Sequence, residues 1–464
     1  MRIVLDGTPL LGRRTGVGRY TEHLLASLAR LIAETRDGGT TAQARIDTGA
    51  DASARGVDAL GLGIDASWEL AATAFTWRGM DALAGALPAG VRPAGWRAPA
   101  RLLQESWVRG EHPPIEWLVG AADLVHGTNF VLPPMRRARG VLTVHDLSYL
   151  RTPDTVSATS ARYSELVPRG LRRASAVLTP SRAVAEEVIT AYRLDPARVT
   201  PTPLGVDDAW FTTPAPTAAW RRANGLPERY LLFVGSVEPR KNLPVLLEAV
   251  RRLHASDTDA PPLVLVGPHG WGPALDLAAM PCGSVITAGY LDADQLRSTV
   301  AGASVLCFPS RYEGFGLPPL EALAAGVPVV AADIPTVREV TGALLAPVSA
   351  AVHPRTGAGA GHAGGTGGTG GTGGTGGAVG GGGFGGGGTG AAGSVGTVAT
   401  GSPVRLVRQA GSASSFADEL AGAIGELLVS PGDTAVGRRH ARTFTWRRTA
   451  ERTAAVYQRV AETP

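Results

Sequence analysis

With 464 residues and 44% hydrophobic content, the chain can bury a large core and is long enough for two or three domains, which excludes a single small module. A formal charge of only +4 and the lack of any aromatic-interleaved basic motif argue against a nucleic-acid partner. Two cysteines, Cys282 and Cys307, form no disulfide framework and fit a reducing cytoplasm.

The N-terminus reaches Asp6 after three apolar residues, and no apolar run is long enough to span a bilayer, so a soluble cytoplasmic protein is expected. Arginines cluster around 136–139, 169–173 and 438–448. Solvated helix faces are the plain reading of these clusters, and a peripheral contact with the inner membrane face is the functional one.

Short β-branched runs, each followed by a turn and a helical period, predict an α/β protein built from βαβ units. In the first half the predicted strands cover 3–5, 123–126, 140–145, 176–179 and 199–204. Between the first two, Thr15-Gly-Val-Gly-Arg-Tyr20 precedes an amphipathic helix with Tyr20, Leu24, Leu28 and Leu31 on one side. A Pro/Ala-rich stretch, 207–228, reads as a linker. A second series of strands follows at 230–234, 263–266, 285–288, 305–309 and 327–331, with a helix over 243–254. Residues 349–402 are dominated by Gly, Thr and Ala repeats, which lose maximal backbone entropy on ordering and offer almost nothing to bury. They are expected to be a disordered insertion, with the second domain resuming over 403–444 and a last helix over 445–460. Two doubly wound domains, 1–206 and 229–348 plus 403–444, facing a cleft, are the expected architecture.

The chemistry-bearing segments lie after predicted strands. Glu313-Gly-Phe-Gly-Leu-Pro-Pro-Leu-Glu321 places one glutamate in a loop and the other in a short helix that Pro318 and Pro319 begin and Gly326 ends. Gly314 and Gly316 let backbone approach a ligand, and the helix start suits a phosphate. The two carboxylates suit sugar hydroxyls, so the segment is read as built for a nucleotide sugar. Glu238-Pro-Arg-Lys-Asn242 opens the helix after the strand at 230–234, and Arg240 and Lys241 are candidate diphosphate clamps. His126 and His145 each end a predicted strand. A lone histidine is usually structural, but two at strand ends on one cleft are candidates for the site. Of the two Asp-x-Asp triplets, Asp257-Thr-Asp259 reads as a polar turn and Asp292-Ala-Asp294 as a helix start, so neither is read as a metal site, and no cofactor beyond the donor is expected.

Together, the glutamate pair, the Glu-Pro-Arg-Lys-Asn segment, the Gly-Val-Gly-Arg-Tyr loop, His145-Asp146, Thr179-Pro-Ser181 and the ending Phe444-Thr-Trp446 plus helix resemble the glycosyltransferases of family 4, of GT-B fold. The resemblance implies a retaining, metal-independent hexosyltransferase that uses a nucleotide-sugar donor such as GDP-mannose or a UDP-hexose. It implies a saccharide or polyprenyl-linked acceptor in polysaccharide biosynthesis. Carried over by position, it puts Glu313, Arg240, Lys241 and His145 at the reacting sugar and diphosphate, Glu321 at the donor ribose, and Gly16 and Gly18 on the acceptor side. Gly314, Phe315, Gly316, Leu317, His126, Asp146 and Ser181 complete the expected binding set, and the last helix is expected to return to the N-terminal domain. A glycosidase, a nucleotide-sugar epimerase of the same architecture, and a non-catalytic scaffold carrying the glycine-rich arm are the competing readings.

Overall fold

The structure, a computed structural model, describes residues 1–12, 14, 16–37, 64–77, 79–342, 401–409 and 411–463. The expected insertion over 349–402 therefore lies outside the described residues, apart from its last two positions.

Two parallel sheets are present. The first contains seven strands: β1 (Arg2–Asp6), β2 (Glu69–Thr73), β3 (Val91–Pro93), β4 (Leu124–Gly127), β5 (Arg139–Thr143), β6 (Ala176–Thr179) and β7 (Val199–Pro201). They run in the order β3-β2-β1-β4-β5-β6-β7, with Ile3 opposite both Leu70 and Leu124. The second contains β8 (Leu231–Val234), β9 (Leu263–Val266), β10 (Val285–Gly289), β11 (Val305–Phe308), β12 (Val329–Ala332) and β13 (Val404–Val407), ordered β10-β9-β8-β11-β12-β13. Strands such as Leu-Val-Leu-Val in β9 and Val-Leu-Cys-Phe in β11 are buried along their whole length, as parallel strands covered on both faces must be. Helices Gly16–Arg36 and Leu243–Ser256 turn Leu24, Leu25 and Leu28, or Leu246, Ala249 and Val250, onto those sheets. Three strands, β2, β3 and β13, were not among those expected from sequence; β13 lies beyond the insertion and pairs with β12, Val329 opposite Val404.

In both sheets the chain winds outward from the first strand in one direction, then returns to its other side. Neighbouring strands β1 and β4, and likewise β8 and β11, therefore send their following loops to opposite faces and leave a crevice at their carboxyl ends.

The segment after 444 crosses back. The amide of Val206 donates to the Phe444 carbonyl at 3.1 Å, and Gly205 passes so close to Trp446 that any Cβ there would collide with its backbone. Helix Trp446–Glu462 then packs on helix Gly16–Arg36. Its Tyr457 hydroxyl meets His126 Nδ1 at 2.6 Å, while His126 Nε2 meets Thr143 Oγ1 at 2.7 Å. His126 is therefore not a cleft residue, contrary to the sequence reading: it is fully buried with both ring nitrogens engaged, and burial pushes its pKa down to about 3. Replacing Tyr457 by Phe removes one partner from a buried neutral imidazole and is expected to cost about 1–3 kcal/mol in urea unfolding.

Candidate active site

The site begins at the crevice between β8 and β11. After β8 the chain makes a 3-10 turn, Pro239–Lys241, and Asn242 takes a left-handed conformation at φ 56° before helix Leu243–Ser256. After β11 it runs through Tyr312 and Glu313 into helix Leu317–Ala325. The two loops are locked together. The Arg311 amide donates to the Arg240 carbonyl at 2.9 Å, and the Asn242 side chain donates to the Pro309 carbonyl at 3.3 Å. Arg240 Nη1 donates to Glu313 Oε2 at 2.7 Å and to the Tyr312 carbonyl at 2.8 Å, and Lys241 Nζ donates to Glu313 Oε1 at 2.6 Å. Glu238 takes the other side of Arg240 at 3.1 Å. Burial alone would raise the Glu313 pKa, but the Arg240 and Lys241 charges overcome it and hold the carboxyl at about 2. Burial works against the Arg240 charge, and Glu313, Asp146 and Glu238 more than offset it, so the guanidinium pKa lies above its ordinary value.

The glycine-rich loop is shaped by both domains. A Cβ at Gly314 would strike the His145 carbonyl oxygen and lie 3.3 Å from the Asp146 Cβ. Ser181 Oγ donates to the Gly314 carbonyl at 2.9 Å, and Tyr312 Oη donates to Glu187 at 2.7 Å while accepting the Leu147 amide at 2.8 Å. Gly316 is left-handed at φ 110°, a conformation that favours glycine. Pro318 and Pro319 occupy the first turn of the helix and supply no amide hydrogens there. The main-chain N–H groups of Glu313, Gly314, Phe315, Gly316 and Leu317 have no hydrogen-bond partner among the described residues. Such a nest of amides suits an anion.

From the N-terminal sheet, His145 follows β5. Its Nε2 lies 2.8 Å from the Thr128 carbonyl, and burial lowers its pKa, so the ring is neutral near pH 7 with Nε2 as donor and Nδ1 unpaired among the described residues. Thr128 is in turn bonded to the Asp6 carbonyl at 2.6 Å, which anchors His145 at the β1/β4 crevice. Across the gap, Arg19 of helix Gly16–Arg36 forms an ion pair with Glu321, whose side chain is only 2% exposed.

Arg240, Lys241, Glu313, Gly314 and Gly316 thus come together, with His145 and Asp146 reaching them through Gly314. Glu321 is joined to the opposite wall by Arg19, which sequence reasoning did not assign although it lies in the quoted glycine run. Its position one residue off the Tyr20-Leu24-Leu28 face was the available signal. Several expected roles change. Ser181 is fully buried, capping helix Arg182–Tyr192 through the Val184 amide, so it positions the Gly314 loop instead of meeting substrate. Phe315 and Leu317 are buried, Phe315 with its ring centroid 6.1 Å from that of Phe444, so their side chains serve packing. Gly16 is the first residue of its helix and not part of a preceding loop. A Cβ at Gly18 would lie 2.7 Å from the Pro9 carbonyl, so close packing alone requires glycine there. The Asp-x-Asp triplets cap backbone: Asp257 Oδ1 accepts the Asp259 amide, and Asp292 forms a capping box with Gln295.

Comparison with known proteins agrees with this geometry. Residues 68–210 match the model "Glycosyltransferase Family 4", and residues 228–353 match the model "Glycosyl transferases group 1". The O-antigen chain mannosyltransferase B of Escherichia coli is 33% identical over 226 residues, 47% of this chain and 59% of that one. The D-inositol 3-phosphate glycosyltransferase of Stackebrandtia nassauensis is 34% identical over 235 residues, 47% of this chain and 51% of that one. The matches thus span little more than half the length of these curated relatives. Sucrose-phosphate synthase from Thermosynechococcus elongatus superposes with a TM-score of 0.59 at 18% identity, covering 99% of this chain and 98% of that one, and so shares the fold. Its two Rossmann-like domains are those of a GT-B protein. The chain belongs to the glycosyltransferases of the family-4 type.

The Glu313 pairing sets an acid limit. Because its carboxyl is depressed from an ordinary 4.5 to about 2, its contribution to stability is fully present above pH 4.5 and lost as pH falls towards 2. Glu313→Gln is expected to lower unfolding free energy at pH 7 by about 3 kcal/mol and to flatten the acid decline between those limits, as read by urea melts across pH.

Proposed function

We propose that the protein is a retaining, metal-independent glycosyltransferase. It moves a hexose of mannose or glucose type from a nucleoside diphosphate sugar to a saccharide or polyprenyl-linked acceptor in polysaccharide biosynthesis. The observation that carries this reading is the placement of Arg240 and Lys241 on Glu313 at the β8/β11 crevice, in a loop whose main-chain amides lack partners among the described residues. The departing group is a diphosphate, and cations held in place beforehand stabilise the negative charge that develops on it. Glu313, an acceptor-only group at neutral pH, suits the hydroxyls of the transferred sugar, and Glu321 suits the vicinal hydroxyls of a ribose. Arg240 pairs with Glu313 and Glu238 and Lys241 with Glu313, so Arg240, Lys241 and Glu313 together keep one net positive charge for the donor's diphosphate, and the Glu313 carboxylate is left to accept from the sugar.

Retention follows from the family resemblance, and in this reading the acceptor attacks from the face the diphosphate leaves. The leaving oxygen, held by Arg240 and Lys241, takes the acceptor proton. His145, neutral and fixed through Nε2, lines the sugar side with Nδ1. Mannose as the transferred sugar is supported by the mannosyltransferase among the relatives.

Arg240→Ala and Lys241→Ala are each expected to lower turnover by about a hundredfold, the scale of losing one preorganised donor at an anionic transition state. Near-normal turnover in both variants rejects the clamp. A panel of GDP- and UDP-sugars screened by thermal shift identifies the donor, since a ligand that binds only the native state raises the melting temperature.

A further inference from the structure

Trp77, Trp96 and Trp117 are 61%, 78% and 61% exposed, although each carries a large apolar ring. The segments that bear them adjoin one another. The Ala98 amide donates to the Thr76 carbonyl at 3.1 Å, which ties the segment bearing Trp96 to that bearing Trp77. A Cβ at Gly95 would lie 3.3 Å from Val119 and 3.5 Å from the Leu118 carbonyl, so the same turn rests on the short helix Glu116–Val119 that bears Trp117. Trp77 and Trp96 follow the carboxyl ends of β2 and β3, the sheet edge that bears the cleft.

The surface is continuous with the site through packed loops. The Phe75 amide donates to Thr8 Oγ1 at 3.0 Å, Gly79 abuts Leu11, and Gly18 abuts the Pro9 carbonyl in the helix whose Arg19 meets Glu321. Ion pairs lie in the same segments: Arg97 with Asp81 at 2.8 Å, Arg109 with Glu105 at 2.7 Å and Arg173 with Glu111 at 2.7 Å. Paired charged heads of this kind offer donors and acceptors to hydroxyl groups. Flat rings complement the C–H faces of pyranoses, whose hydrogens carry the positive charge that a π face attracts.

The geometry points to an acceptor platform on which Trp77, Trp96 and Trp117 hold the body of a neutral saccharide chain while its end reaches the cleft. This rests on the transferase reading. The full-length chain and its W77A, W96A and W117A variants are titrated by tryptophan fluorescence with a disaccharide and a longer oligosaccharide of α-linked mannose or glucose, and separately with anionic phospholipid vesicles. The expected result is tighter binding of the longer oligosaccharide, weakened about tenfold in each variant, with disaccharide transfer and the donor-induced thermal shift unchanged. Equal affinity for both lengths, binding indifferent to all three substitutions, or vesicle binding that disappears in the same variants overturns the platform. Length-dependent binding lost in the variants, without any transfer by the unaltered protein, supports the platform and counts against the transferase reading alone.

Discussion

One carboxylate gripped by two cations between adjacent strands organises the active half of this molecule. Glu313, Arg240 and Lys241 come from loops about seventy residues apart in sequence, brought side by side because β8 and β11 are neighbours although not consecutive. A buried ion pair of this kind is weak evidence for stability in its own right, since desolvation cancels much of the attraction. Its value is positional. The charged heads are fixed before a ligand arrives: Arg240 also donates to the Tyr312 carbonyl and to Glu238, and its own carbonyl accepts the Arg311 amide, which leaves it little freedom to drift. Electrostatic stabilisation of a leaving group is largest where the dipoles need not move.

The Glu313 loop is also where the two domains meet. Gly314 lies against the His145 carbonyl and receives Ser181, while Tyr312 bridges Glu187 and the Leu147 amide. Glu339 extends the same contact by accepting the amides of Arg182 and Ala183 at the start of helix Arg182–Tyr192, where a negative charge is favoured by the helix dipole. At the outer rim Trp271 donates its indole N–H to the Thr155 carbonyl at 2.8 Å. The catalytic loop and the domain interface are therefore one set of bonds.

The paired Rossmann-like plan was legible because its inner strands are unbroken β-branched runs, and those at 176–179 and 263–266 fall on the observed bounds. The edge strands were not. Glu-Leu-Ala-Ala-Thr in β2 has little β-branched content, β3 is three residues long, and β13 follows a segment with no pattern to lead into it. Sequence located the Glu313 to Glu321 segment and the Arg240-Lys241 pair, where residue type and spacing carry the chemistry. It could not separate His126 from His145. Both end predicted strands, and what distinguishes them is Tyr457, more than three hundred residues away, sealing one ring while the other stays at the crevice. Ser181 misled for a related reason: a capping serine and a ligand-binding serine look alike until the partner loop is placed.

Helix Trp446–Glu462 has a bearing on how the chain is made. The first sheet is complete by residue 201, yet its hydrophobic interior is closed by Tyr457, Val456 and Ala454. During synthesis that flank stays bare until the second domain has been made and the helix at Trp446–Glu462 has emerged. The helix acts as a clasp that couples closure of the first domain's core to synthesis of the second.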